Sequence, residues 1–323
     1  MHINLYRYQL PLTMPLTING STIVHREGFY VEIEGHWGEI SPLPNDLSNG
    51  QGDSDLSLEQ DLLVAVERLR HGLAYGARLP AVQFGLDCAL AKVSSAPLTV
   101  QQTPHSLPLF SLPLLEGPRD PLVRAWRCRR VHPERAWLTL TGDVHYDASL
   151  VRELCLLAPS VRLVLDAAGR LDKEQIGGLW QRIDGSRIDW LLDPSADLPT
   201  AKALAEQYSM PVALDLARYS DFTSATAPNL AIAELAFAKA MIIRPAQLGG
   251  LAHNQQLAAQ ARDLGLEVML GDSLQSGLGQ HQLAHLSHHW LPGAALALGR
   301  CRYLLDSGIN KQGQPAIAGL TPL

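Results

Sequence analysis

Four short apolar runs, each closed by a charged residue, leave this chain few ways to fold. They are 161–166 (VRLVLD), 188–193 (IDWLLD), 211–215 (PVALD) and 240–244 (AMIIR). Each is mostly Val, Ile, Leu or Trp, the pattern of a strand buried on both faces. The closing charges, Asp166, Asp193, Asp215 and Arg244, lie 27, 22 and 29 residues apart. That spacing holds one strand, one helix and two short loops. Its repetition implies parallel strands joined by right-handed crossovers. Charges at the C-terminal ends of successive parallel strands are where a β/α barrel builds its active site. Any one of these acids could merely end its strand and cap the next helix; the set points to a site.

The rest of the composition narrows the class. With 323 residues, 46% hydrophobic and 18% charged, the chain can bury a barrel core and a smaller domain. Its net charge is −6. The densest basic stretch, 124–135, carries five arginines among apolar neighbours and reads as a solvated face, so no nucleic-acid partner is expected. No segment reaches membrane-spanning length, and the opening MHINLYRYQLPL lacks the apolar core of an export signal. Cys88, Cys128, Cys155 and Cys301 form no CxxC pair and read as free thiols in a reducing cytoplasm.

Residues 1–45 alternate polar and apolar side chains as antiparallel β, with Gly28 and Gly35 near turns. The stretch 37–44 (WGEISPLP) reads as a fixed loop, either facing the barrel mouth or forming a rigid corner. A polar loop follows at 46–55. Helical spacing over 56–73 and 81–94 completes an α+β unit. Pro97, Pro104, Pro108 and Pro113 mark a linker, and 109–115 is a candidate first barrel strand. Strands at 137–141, 267–270 and 294–298 join the four runs. Helices are expected at 145–158, 173–183, 198–208, 253–264 and 280–289, and 231–239 leads into the strand ending at Arg244. The tail after Ser307 reads as irregular.

Several stretches together resemble the o-succinylbenzoate synthase branch of the enolase superfamily. They are 35–44 (GHWGEISPLP), 84–91 (FGLDCALA), 161–170 (VRLVLDAAGR), 190–194 (WLLDP), 212–215 (VALD), 242–250 (IIRPAQLGG) and 270–279 (LGDSLQSGLG). The resemblance covers nearly the whole chain. It implies a (β/α)7β TIM-like barrel at 105–300 under an α+β capping domain at 1–100, with 301–323 returning to the cap. It also implies one Mg²⁺ and a lysine pair that abstracts a proton α to a carboxylate. The reaction would be a dehydration giving o-succinylbenzoate, a menaquinone precursor.

The implied catalytic set is incomplete. Asp166 and Asp215 stand at two metal-ligand positions, while the third falls on Leu192, with Asp193 one residue later on the opposite face of a strand. The first lysine motif is aligned with Leu138 and Leu140. The partner lysine becomes Arg244, which can hold an anion but is too basic to act as a base. Lys92, Lys173, Lys202, Lys239 and Lys311 are all away from strand C-terminal ends. Gly271, Asp272 and Ser273 form the candidate substrate loop. Losing a base costs about 10²–10⁴-fold, and losing the metal costs more. Mg²⁺ binding is therefore expected to be weak or absent.

Three functions remain open on this reading. One is a divergent enolase-superfamily protein that binds a small carboxylate at Arg244. Another is a working o-succinylbenzoate synthase with Asp193 or Asp272 as a replacement ligand. The third is a non-catalytic partner or regulatory subunit. Two smaller features carry double readings. His281 and His285 share a helical face but lack a third ligand, so a barrel helix explains them better than a metal. The 247–250 segment (QLGG) is either an anion cradle or tight strand–helix packing.

Overall fold

The structure is a computed structural model that describes residues 1–44, 57–96, 98, 111–219, 232–317 and 320–323. The polar loop expected at 46–55 and most of the proline linker lie outside the described residues. No helix among the described residues is long and apolar enough to cross a membrane.

The first part of the chain makes an antiparallel sheet from β1 (Ile3–Ile18), β2 (Ser21–Ile33) and β3 (His36–Ile40). Asn19 and Gly20 turn the first hairpin with φ of 49° and 79°, the left-handed pair that a two-residue turn needs. The stretch expected as a loop from Trp37 is a strand as far as Ile40. Its backbone pairs with β2 from Phe29↔Ile40 to Ile33↔His36, and only 41–44 are irregular. Helices α1 (Leu58–Arg70) and α2 (Pro80–Leu90) cover one face of the sheet. At Gly38 a side chain is excluded, because a Cβ would lie 1.9 Å from the Gly85 carbonyl oxygen. That absence lets α2 rest directly on β3.

Eight parallel strands then form the barrel. They are β4 (Leu114–Leu115), β5 (Arg135–Thr139), β6 (Arg162–Asp166), β7 (Ile188–Leu192), β8 (Val212–Asp215), β9 (Ala240–Ile243), β10 (Glu267–Gly271) and β11 (Leu296–Ala297). The ring closes where Ser111 bridges Leu296 in parallel and the Leu112 amide donates to the Leu296 carbonyl at 2.9 Å. The crossover helices are α3 (Arg119–Arg127), α4 (Val144–Leu157), α5 (Lys173–Trp180), α6 (Leu198–Tyr208), α7 (Pro245–Leu248), α8 (Leu251–Asp263) and α9 (Gly277–Trp290). The sequence reading missed α3, whose arginines obscured the apolar stripe Leu122, Val123 and Trp126. The segment leading into β9 holds a 3₁₀ turn at Ile232–Leu235. With β9 starting at Ala240, only one turn fits.

Alternation along the strands splits the barrel into two cores. Trp137, Val164, Trp190, Leu192, Ile242 and Met269 fill the interior. Leu138, Leu140, Leu163, Leu165, Leu191 and Ile243 face the surrounding helices. Both faces are apolar, as the uninterrupted runs required.

The cap is joined to the barrel by charged side chains that satisfy helix ends. Glu39, fully buried, accepts from Tyr8 Oη at 2.6 Å, Ser276 N at 2.8 Å, Ser276 Oγ at 2.6 Å and Gly279 N at 2.8 Å. It thereby fills the N-terminus of α9, where orphan amides and the helix dipole favour a carboxylate. Asp87 of α2 does the same for α8, accepting from Leu251 N at 2.7 Å. The QLGG segment thus does meet an anion, but it is the chain's own. His281 Nδ1 and His285 Nε2 donate to the Ser95 and Ala96 carbonyls at 2.8 and 2.7 Å, so each is spent on the segment that follows α2. The tail is not wholly irregular: β12 (Thr321–Pro322) pairs antiparallel with β1, Tyr6 opposite Pro322 and Arg7 opposite Thr321.

Candidate active site at the barrel mouth

Strand ends deliver the charged groups. Asp166 closes β6, with Oδ1 accepting from Ala168 N at 2.9 Å and Oδ2 from Trp137 Nε1 at 3.3 Å. Asp215 closes β8, with Oδ1 accepting from Ala217 N at 3.2 Å and Oδ2 from Arg244 Nε at 2.6 Å. Arg244, just after β9, also donates through Nη1 to the Asp272 carbonyl. Gly271 makes this possible, because a Cβ there would lie 3.2 Å from Arg244 Nη1. Burial works against the Arg244 guanidinium, but Asp215, Asp272 and Asp166 outweigh it and raise its pKa. The arginine is a permanent cation among these acids.

Asp193 reaches the same region by the twist the sequence reading required. Its φ is 46°, a left-handed conformation that Asp adopts more readily than most residues. Leu192 stays in the barrel interior while the Asp193 carboxylate is fully buried beside Asp215. Oδ1 accepts from Asp215 N at 2.9 Å and from Tyr219 Oη at 3.3 Å, and Oδ2 pairs with Arg218 Nε at 2.7 Å. Burial first, then Asp215, pushes its pKa up, with Arg218 opposing.

The alignment of the lysine motif with Leu138 and Leu140 is corrected. Those side chains pack outward against the helices with Ala136, because successive side chains along β5 point to opposite faces. The inward positions are Trp137 and Thr139. A base pair at alternate positions of this strand would have to occupy them, and neither residue accepts a proton near neutrality.

A cavity of about 20 Å³ opens between the ends of β4, β5, β10 and β11. Trp137, Thr139, Asp166, Arg244, Asp272 and Arg300 supply its polar wall, and Leu112, Leu114 and Ala297 its apolar wall. Of the predicted substrate loop, Asp272 lines it, while Gly271 and Ser273 do not. Asp193 and Asp215 also stand off the wall. Ser273 is buried, and its carbonyl, with those of Leu274, Pro42 and Ser41, accepts from Arg26 of β2. Sequence reasoning missed Arg26, Thr139 and Arg300. The one available signal for Arg300 was a Gly-Arg pair directly after the last strand.

The acids present do not fit a hard divalent cation. Such an ion needs carboxylate oxygens turned toward one centre. Here five of the six oxygens of Asp166, Asp193 and Asp215 accept hydrogen bonds from the chain itself, and the sixth, Asp193 Oδ2, lies 2.7 Å from Arg218 Nε in an ion pair. Among the described residues no three His, Cys, Asp or Glu side chains are grouped to hold a metal.

Asp272 makes the site pH-sensitive. Burial pushes its carboxyl up to about 6, against the pull of Arg244 and Arg300. The folded chain therefore holds this proton more tightly than the unfolded chain, whose Asp titrates near ~3.9. The contribution to stability is complete below pH ~4 and is lost as pH rises through about 6. Asp272→Asn should gain on the parent across that window, by at most about 3 kcal/mol. Urea unfolding of both proteins at pH ~4.5 and ~7.5 checks this; an unchanged difference between them counts against it.

Comparisons with known proteins agree with this architecture. A chain described as a mandelate racemase/muconate lactonizing protein from Herpetosiphon aurantiacus superposes with a TM-score of 0.73 at 19% identity, covering 99% of this chain and 94% of that one. The o-succinylbenzoate synthase of Thermosynechococcus elongatus BP-1, solved with Mg in its active site, gives 0.65 at 21%, covering 95% of each. The fold is thus the barrel and cap of the enolase superfamily. Residues 1–93 match the family model for the MenC N-terminal domain. The o-succinylbenzoate synthase of Yersinia enterocolitica is 29% identical over 306 residues, 90% of this chain and 87% of its own length. That of Yersinia pseudotuberculosis is 28% identical over the same span. The chain is thus similar to o-succinylbenzoate synthases over nine-tenths of its length, and its first 93 residues carry the match to their N-terminal domain.

Proposed function

We propose that this protein has left Mg²⁺-dependent proton abstraction and binds a small carboxylate at the barrel mouth. The observation that carries the proposal is the Arg244–Asp215 ion pair, which is buried, 2.6 Å long and fixed to the Asp272 carbonyl. It ties up a carboxylate at the position where the resemblance places a metal ligand. Trp137 and Thr139 offer no base on the facing strand, and none of the five lysines lines the cavity. Dehydration by the superfamily's usual route needs both a base and an electrophile for the enediolate. What remains is a small polar recess with guanidinium groups suited to carboxylate.

Similarity to o-succinylbenzoate synthases across 90% of the chain favours one competing reading, a working dehydratase with replacement residues. Titration calorimetry with Mg²⁺ and an assay for o-succinylbenzoate formation separate the two. No measurable Mg²⁺ binding and no turnover are expected. Micromolar Mg²⁺ affinity with turnover within ~100-fold of an ordinary enzyme's rate would establish the dehydratase instead.

A further inference from the structure

Helix α9 is the surface on which the cap rests. Its N-terminus takes Glu39, and further along Gln282 Nε2 donates to the Trp37 carbonyl of β3 at 2.7 Å. Two more contacts reach the segment that runs from α2 toward the barrel. His281 Nδ1 and His285 Nε2 donate to the Ser95 and Ala96 carbonyls at 2.8 and 2.7 Å. The C-terminal tail packs on the same segment, since a Cβ on Gly313 would run into the Ser95 carbonyl. His281, His285 and His288 stand at i, i+4 and i+7, one stripe of the helix. The His289 ring meets that of His288 edge-on, with centroids 5.3 Å apart. In each gripping ring one nitrogen serves a carbonyl, and the other has no hydrogen-bond partner among the described residues. A neutral imidazole suits that arrangement, because it has one N–H to give and no second proton to place.

We propose that His281 and His285 form an acid-released latch, which holds the cap-to-barrel segment on α9 while the histidine stripe is neutral and frees it when the stripe charges. Histidines take up their second proton as pH falls, and the stripe then becomes a row of like charges. The other charged groups brought here do not offset it. Arg262 of α8 reaches the Trp290 carbonyl at 3.1 Å, and Lys92 and Lys311 belong to the gripped segment and the tail. Glu39 is spent on its four donors, and His71 is the one histidine in an ion pair among the described residues. His285 is only 8% exposed. Burial lowers its pKa below the ordinary histidine value, against the bond to Ala96 and with the help of His289, His281 and His288. The folded chain therefore holds this proton less tightly than the unfolded chain. The contribution to stability is complete above pH ~6.5 and is lost as pH falls through the folded value.

Asp272 titrates in the opposite sense, so the latch is read locally and not from global unfolding. Hydrogen–deuterium exchange of 91–96, corrected for the intrinsic rate and compared with α4, reports it at pH ~7.5 and ~5.0. In the parent, protection of 91–96 relative to α4 should fall by about 10-fold at the lower pH. In the double variant His281→Asn, His285→Gln, an amide N–H takes the place of each ring N–H and does not titrate. Its protection should be the same at both pH values. If those side chains grip less well and 91–96 is already open at the higher pH, a second double variant decides instead. His288→Gln with His289→Gln leaves both grips in place and removes two of the charges, so its acid loss should be smaller than the parent's. Unchanged protection in the parent overturns the inference. So does an acid loss equal to the parent's in whichever double variant decides.

Discussion

Replacing Glu39 by alanine should cost the fold roughly 3–5 kcal/mol, because the four donors it satisfies are buried and lose their acceptor together. The loss falls on two parts at once. Tyr8 loses its partner inside the cap, and α9 loses the carboxylate at its N-terminus. Glu39→Gln should cost less in volume, yet its amide group would face N–H donors and repel them. Urea unfolding gives the size of the loss, and amide exchange of 276–279 locates it. A loss below ~1 kcal/mol would mean that water replaces the carboxylate at no great cost.

Arg244→Met should have the other large effect. Asp215 would lose its 2.6 Å cation while staying buried beside Asp193. Removing one partner of a buried pair costs about 3–5 kcal/mol, since the remaining charge is uncompensated. The deficit should be greatest near neutral pH and shrink as pH falls, because protonating a buried carboxylate removes the unpaired charge. The same change frees Asp215 Oδ2, so Mg²⁺ affinity should rise above that of the parent. Stability equal to the parent at pH ~7 would show that Arg244 is a passenger and not the centre of the site.

The legible parts of the sequence were those that physics repeats. The runs ending in Asp166, Asp193, Asp215 and Arg244 gave a parallel barrel because an uninterrupted apolar run fits only a strand covered on both sides. That same property hid which face was which. With apolar cores on both sides of β5, composition alone did not decide whether Leu138 or Thr139 looked inward, and the motif was set one residue off. Asp193 depended on a backbone twist at a single residue. Arg300 lay in a short turn with no periodicity, so its place depended on where the barrel closed. Glu39 was hidden for another reason. It lies 237 positions from Ser276, and no local pattern announces a contact that only the cap's docking creates.

The pairing of β1 with β12 bears on how the protein is made. Strand β1 is synthesised long before its outer neighbour, residues 321–322. Until those residues pair with it, β1 is an edge of a long hairpin, open to pairing with other chains. The barrel, built from neighbouring strand–helix units, can form progressively behind it.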